Sequence, residues 1–252
     1  MNQKNFEYLK DQIQDLGFGK SLDLHLNENM KRQLPEFTLI HQTAFGKDAL
    51  TNALHFQRSQ STNIYSFHSY SSSVKKKQAS QELKQTFFIG KGDNITLKEA
   101  YNLLSGRAVQ KNLVNKDGNI YGAWLQIDFK QTDSAGNFNL KEFDQNHGFD
   151  LEKSLERMPI KELENPIMKE QLLGSLREGN THLVTLAEGS QTHKLRIEIN
   201  PQFKAVIFYD ERALARRQSV AYRQDQAAEE RTQQQTPRHK RRLSHAARQT
   251  IS

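Results

Sequence analysis

The sequence predicts an α+β fold built from a helix followed by antiparallel strands, a unit that recurs, and ending in a disordered basic C-terminal tail. Three observations predict it. Apolar spacing switches repeatedly between the helical period and strict alternation. Leu125-Gln126-Ile127-Asp128-Phe129 and Leu195-Arg196-Ile197-Glu198-Ile199 alternate apolar with polar in the same way, each downstream of a helical stretch, as expected of sheets with one buried and one wet face. Charge, finally, is lopsided: residues 211–252 hold ten Lys+Arg against four Asp+Glu, whereas the whole chain is only +7.

Phe6, Leu9, Ile13 and Leu16 fall at helical spacing and Gly17 follows as a stop. A second helix runs from Ser21 as N-cap through Leu22, Leu26, Met30 and Leu34, ending before Pro35. From Phe37 the period changes. Leu50, Leu54 and Phe56 lie on one side of an extended segment, and Ile64-Tyr65-Ser66-Phe67 forms another β-rich run. Residues 71–81 read as an exposed connection, and Gln85–Ile89 as a short strand.

Thr96-Leu97-Lys98-Glu99 is a capping-box pattern leading a helix through Ala100, Leu103 and Leu104 to Gly106. Strand Ala108–Val114, the hairpin signal Asp117-Gly118, strand Tyr121–Phe129 and strand Phe138–Phe143 follow. The pattern recurs: helix Ile167–Arg177, Gly179, then strands Thr181–Leu186, His193–Ile199 and Phe203–Tyr209. The first eighty residues hold a degenerate third copy in looser form. Three regions result: 1–80 helical with β-hairpins, 81–210 an α+β body of two helix-plus-three-strand units, and 211–252 the tail. Whether 1–80 is a separate domain stays open.

Composition narrows the functional classes. The chain of 252 residues has no cysteine, which excludes disulfides and thiolate metal sites and fits a reducing compartment. No run of about eighteen apolar residues and no signal-like apolar core at the N-terminus is present, so a soluble, cytoplasmic protein without membrane contact is expected. Beyond Asp210 the large apolar residues are too few to offset the entropy of ordering that stretch.

Several patterns that resemble catalytic or binding motifs fail a physical requirement. Gly17-Phe18-Gly19-Lys20-Ser21 ends like a phosphate loop, but Gln14 stands where its first Gly belongs and a helix, not a strand, precedes. Asn115, Asp117 and Asn119 have calcium-loop spacing, yet Ile120 and Gln126 replace the required Gly and Glu. His55 and His68 face one another if the hairpin between them is centred between Ser61 and Thr62, which also pairs Phe56 with Phe67, but two histidines are an incomplete zinc set. Asp128, Asp133, Asp144 and Asp150 cluster in sequence, with Asp150 placed to cap a helix at Leu151. No catalytic residues, cofactor or metal are therefore assigned. A divalent-metal hydrolase using Asp128 or Asp133 is an outside alternative.

Trp124 is the single tryptophan, and alternation sets it opposite Leu125, Ile127 and Phe129 on the less buried face with Gln126 and Asp128. It is either a partner contact, since aromatics anchor interfaces, or the edge of the core or a position under a lid of helix packing. Within the tail, Arg216 and Arg217 precede the block Pro237-Arg238-His239-Lys240-Arg241-Arg242. Arg238, Lys240, Arg241 and Arg242, with Arg216 and Arg217, are the expected nucleic-acid contacts. Such a block engages phosphates with counterion release and without sequence preference.

The body also resembles an uncharacterised domain-of-unknown-function family of Bacteroidetes, often associated with conjugative and other mobile elements. The resembling segments are Asn5–Gln12, Ile95–Leu103, Gly106–Val109, Ala123-Trp124, Pro159–Leu163 and Asn200–Lys204. The resemblance implies a bacterial cytosol and a mobile-DNA setting, and it supplies no catalytic or binding residues. The expected function is a non-enzymatic accessory protein of a mobile element binding nucleic acid through its tail. The alternative is a protein–protein interaction module using the sheet face or edge near Trp124, with the tail as a solubilising segment.

Overall fold

The structure, a computed structural model, describes residues 2–75, 82–90, 92–189 and 191–209. It is α+β, with five α-helices and three antiparallel sheets of four, three and three strands among the described residues. The basic segment expected from residue 211 lies outside those residues.

Helix α1 (Gln3–Asp15) starts where the Asn2 side chain accepts the Asn5 N–H, and it buries Phe6, Leu9 and Ile13 on one face. Asn5 is itself buried. Its amide exchanges two hydrogen bonds with the Tyr65 backbone (2.9 and 2.8 Å), so the helix is fastened to a strand sixty residues away. The turn after α1 buries Phe18 between glycines held at positive φ, Gly17 and Gly19. Helix α2 (Asp23–Arg32) corrects the expected start: Leu22 occupies the cap position without a side-chain bond, and Ser21 belongs to the preceding turn, closed by Asp23 N–H to Lys20 O.

Strands β1 (Glu36–Phe45), β2 (Asp48–Arg58), β3 (Tyr65–Lys75) and β4 (Leu83–Phe88) form a meander in sequence order. Phe56 pairs with Phe67, as expected, and the rings stack at 4.8 Å. The histidines do not face each other. A β-bulge pairs His55 with Ser69 and leaves His68 as the extra residue. The inward set on β3 changes parity there, from Tyr65 and Phe67 to Tyr70 and Val74, all buried.

Helix α3 (Leu97–Leu104) carries the complete capping box, Thr96 N–H to Glu99 Oε2 and Glu99 N–H to Thr96 Oγ1. Gly106 at φ +82 then turns the chain into β5 (Val109–Val114), β6 (Ile120–Thr132) and β7 (Phe138–Phe143). A short helix α4 (Leu151–Glu156), capped by Asp150, precedes α5 (Pro166–Arg177). Gly179 at φ +79 leads into β8 (His182–Glu188), β9 (Gln191–Asn200) and β10 (Ala205–Tyr209). Both units are thus helix, left-handed glycine, three-strand meander, and the two alternating segments are their central strands, β6 and β9. In the N-terminal region α2 is likewise followed by a meander, with a fourth strand.

Apolar packing divides into two cores. One joins α1, α2, α3 and the inner face of β1–β4 to Val109, Leu125 and Ile127. The other joins α4, α5, β8 and β9 to Ala108 and Trp124. The β5–β7 sheet is therefore packed on both faces around Trp124, and the Trp124 side of β6 is not the wholly wet one that alternation predicts. Among the described residues no helix is long and apolar enough to cross a membrane.

Candidate functional site

The densest set of perturbed polar groups lies where α3, the β1–β2 turn and the end of α5 meet. Asn102, fully buried on α3, donates from Nδ2 to Glu178 O (2.6 Å) and to Asn180 Oδ1 (3.0 Å). Arg107, delivered by the Gly106 turn, donates from Nε to Gly179 O (2.9 Å) and from Nη2 to Asn102 Oδ1. The carbonyls at the end of a helix have no partner within the helix, and here the preceding repeat unit supplies two side chains that satisfy them. Gly179 has no room for a side chain: a Cβ would lie 2.6 Å from Ala108 O and 2.9 Å from Val109 Cγ1.

Tyr101 extends the cluster. Its hydroxyl donates to Asp48 Oδ2 at 3.0 Å, and its ring lies 5.3 Å from both the Arg107 guanidinium and the Lys98 ammonium. Lys98 also sits 4.4 Å from the centre of the Phe45 ring. Burial raises the Tyr101 pKa, and the Asp48 carboxylate adds to the shift, so the phenol stays protonated. Burial lowers the Lys98 pKa, reinforced by Arg107 and opposed by Glu178. The chemistry of this arrangement is fastening: two cations lie on aromatic faces, and a guanidinium and an amide grip the next unit's helix end.

The sequence-derived candidates fall elsewhere. Trp124 is 4% exposed, packs edge-on to Phe149 at 5.7 Å and belongs to the second core. Of the readings of Trp124, burial under helix packing is the one the geometry matches, since the side chain shares a core with residues of α4, α5, β8 and β9. The four aspartates do not converge. Asp128 pairs with Lys141 (3.0 Å), Asp133 accepts the N–H groups of Ala135 and Asn137, Asp144 those of Asn146 and His147, and Asp150 that of Lys153. Asn115 explains the calcium-like spacing, since its side chain accepts the N–H groups of Asp117 and Asn119 across the hairpin turn. Among the described residues no three His, Asp or Glu side chains are grouped to hold a metal ion. Arg216, Arg217, Arg238, Lys240, Arg241 and Arg242 lie outside the described residues.

Two arrangements were not anticipated. Glu99, beyond its capping role, receives Lys111 Nζ at 3.1 Å on both carboxylate oxygens, a buried ion pair between α3 and β5. A groove of about 290 Å³ beside α4, α5 and β8 is floored by Leu155, Ile160 and Leu173 and rimmed by Glu152, Glu156 and Lys169. Lys169 lies 3.8 and 3.9 Å from the two glutamates, so opposite charges alternate along the rim.

In comparisons with protein-family models, curated proteins and solved structures, the chain matches none.

Proposed function

We propose that this chain is a non-enzymatic accessory protein that binds nucleic acid without sequence preference, with affinity supplied by the basic segment 211–252. The observation that carries the reading is the charge partition: ten Lys+Arg against four Asp+Glu in that segment, within a chain of net charge +7. A nearly neutral folded body joined to a cationic segment concentrates phosphate affinity at one end. The hydrogen bonding of Asp128, Asp133, Asp144 and Asp150 supports a non-catalytic body, because each carboxylate holds a turn, a cap or a lysine. A cytoplasmic, bacterial, mobile-element setting rests on the resemblance of the body segments alone.

The alternative, a protein-interaction module using the sheet face or edge near Trp124 with the tail as a solubilising segment, is weakened at the face by the burial of that side chain. The test is fluorescence anisotropy on several unrelated oligonucleotides. Replacing Arg238, Lys240, Arg241 and Arg242 together by Ala is expected to weaken every sequence by a similar factor, since phosphates position a protein without specifying a base. Sequence-selective loss, or none, overturns the reading.

A further inference from the structure

Strand β1 is an open edge of the four-stranded sheet, and its hydrogen-bonding groups can be assigned one by one. Arg58 N–H donates to Pro35 O at 2.8 Å, and Glu36 pairs with Gln57. In an antiparallel ladder hydrogen-bonded pairs alternate with non-bonded ones. Phe37, Leu39, His41, Thr43 and Phe45 therefore bond to β2, while Glu36, Thr38, Ile40, Gln42 and Ala44 turn their N–H and C=O groups outward. All five outward residues are exposed, Ile40 by 57%, and no described residue bonds to their main chain.

Three other edges, β4, β5 and β8, carry caps on their outward main chain. On β4 the Thr86 N–H is taken by Asn137 Oδ1 (2.9 Å). On β5 the Asn112 N–H donates to Asp93 Oδ2 (3.1 Å). On β8 Glu162 accepts the Thr185 N–H (2.9 Å) and Pro159 O accepts that of Ala187 (2.9 Å). Unpaired edges are otherwise blunted by lysine, proline, bulges or short length. β1 has ten residues, no lysine, no proline and no bulge, and its sole charge is Glu36 at one end.

We propose that β1 pairs antiparallel with β1 of a second copy of this chain, about a two-fold axis at Ile40. That register uses all five outward residues, setting Ile40 against Ile40, Thr38 against Gln42 and Glu36 against Ala44. Isologous pairing requires a self-complementary strand, and in this register no like charges oppose one another. Moving the axis to Gln42 would carry Glu36 and Thr38 of each strand past Phe45, where the partner chain turns into β2, and forfeit bonded pairs. The two exposed Ile40 side chains become a cross-strand pair, which shields apolar surface on the joined sheet.

The test uses the absence of native cysteine. Residues directly opposite in a bonded antiparallel pair have Cα atoms about 5.5 Å apart, within disulfide reach. Under mild oxidation the full-length Ile40→Cys protein is expected to form a covalent dimer, while Ser66→Cys, exposed on β3 away from the edge, stays monomeric. Wild type is expected to shift from monomer to dimer in sedimentation as its concentration is raised. Ile40→Lys should return it to monomer with its circular dichroism unchanged and with a melting temperature that no longer rises with protein concentration. If Ile40→Lys misfolds, the cysteine pair still decides. Monomeric wild type at every concentration, or Ile40→Cys cross-linking no faster than Ser66→Cys, overturns the proposal. Neither outcome bears on phosphate affinity, which is read separately.

Discussion

Gly179 sits against Ala108 so closely that a Cβ on the glycine would lie 2.6 Å from the alanine carbonyl oxygen. This approach joins the end of α5 to the start of β5, and so joins the two repeat units. Asn102 and Arg107 bond the carbonyls on either side of it. A side chain cannot be accommodated by a rotamer change there, because backbone is what it meets.

Gly179→Ala is therefore expected to destabilise the protein by about 3 kcal/mol, combining the left-handed backbone penalty with displacement of β5. Gly189 has a similar φ of +60 but nothing within 4 Å of a built Cβ. Its alanine variant should lose only about 1 kcal/mol. Urea denaturation of the two variants measures the difference, and equal losses would show that the approach at Gly179 yields readily.

The Glu99–Lys111 pair predicts strong non-additivity. Lys111→Met leaves a buried carboxylate with one remaining donor, the Thr96 N–H, and should cost about 3 kcal/mol or more. The double variant Glu99→Gln, Lys111→Met removes the charge while an amide oxygen still accepts from Thr96, and should recover much of that loss. A double-mutant cycle by urea denaturation reads it; additive losses would contradict the pairing.

Acid should weaken the fold in two stages. Burial holds the pKa values of His41, His55 and His182 below the ordinary 6.5, with Lys84 and His68 adding at His55 and Arg196 at His182. Below 6.5 the unfolded chain binds protons that the folded chain resists, so stability falls as pH drops from that value toward the depressed ones. His41 gives the effect a structural basis: its Nδ1 lies 3.3 Å from Asn52 Nδ2, whose amide oxygen is fixed by the Ser72 hydroxyl. Protonating Nδ1 removes that acceptor. Asp128, Asp133 and Asp150, held below 3.8 chiefly by Lys141, Asn137 and Lys153, contribute stability above 3.8 that is lost on further acidification. Thermal melts are expected to show a lower melting temperature at pH 5 than at pH 7.5, and His41→Gln should shrink the difference. An unchanged difference would remove His41 from the account.

What the sequence made legible was local. The capping box at Thr96, the Asp150 cap, the left-handed glycines after α3 and α5, and the central alternation of β6 and β9 are set by residues close in the chain. The Phe56–Phe67 pairing followed from hairpin symmetry, but the bulge beyond it did not, since one extra residue at His68 leaves no compositional mark. Trp124 was set on the less buried face because alternation presumes one wet face, and the choice between partner contact and helix lid stayed open because α4 and α5, which cover it, are encoded downstream. The Asn102–Arg107 grip on α5 spans more than seventy residues and has no local signature. The nucleic-acid candidates were read from charge alone, and they lie outside the described residues.

The most direct test of the central claim is the salt dependence of binding. Removing one cation that neutralises a phosphate should reduce the magnitude of the log-affinity versus log-salt slope by about 0.7 to 0.9. With Arg238, Lys240, Arg241 and Arg242 all replaced by Ala, anisotropy titrations across a salt series should give a slope flatter by about three units on any DNA or RNA oligonucleotide. Wild-type affinity and an unchanged slope in the quadruple variant would contradict the claim that this segment binds the phosphates.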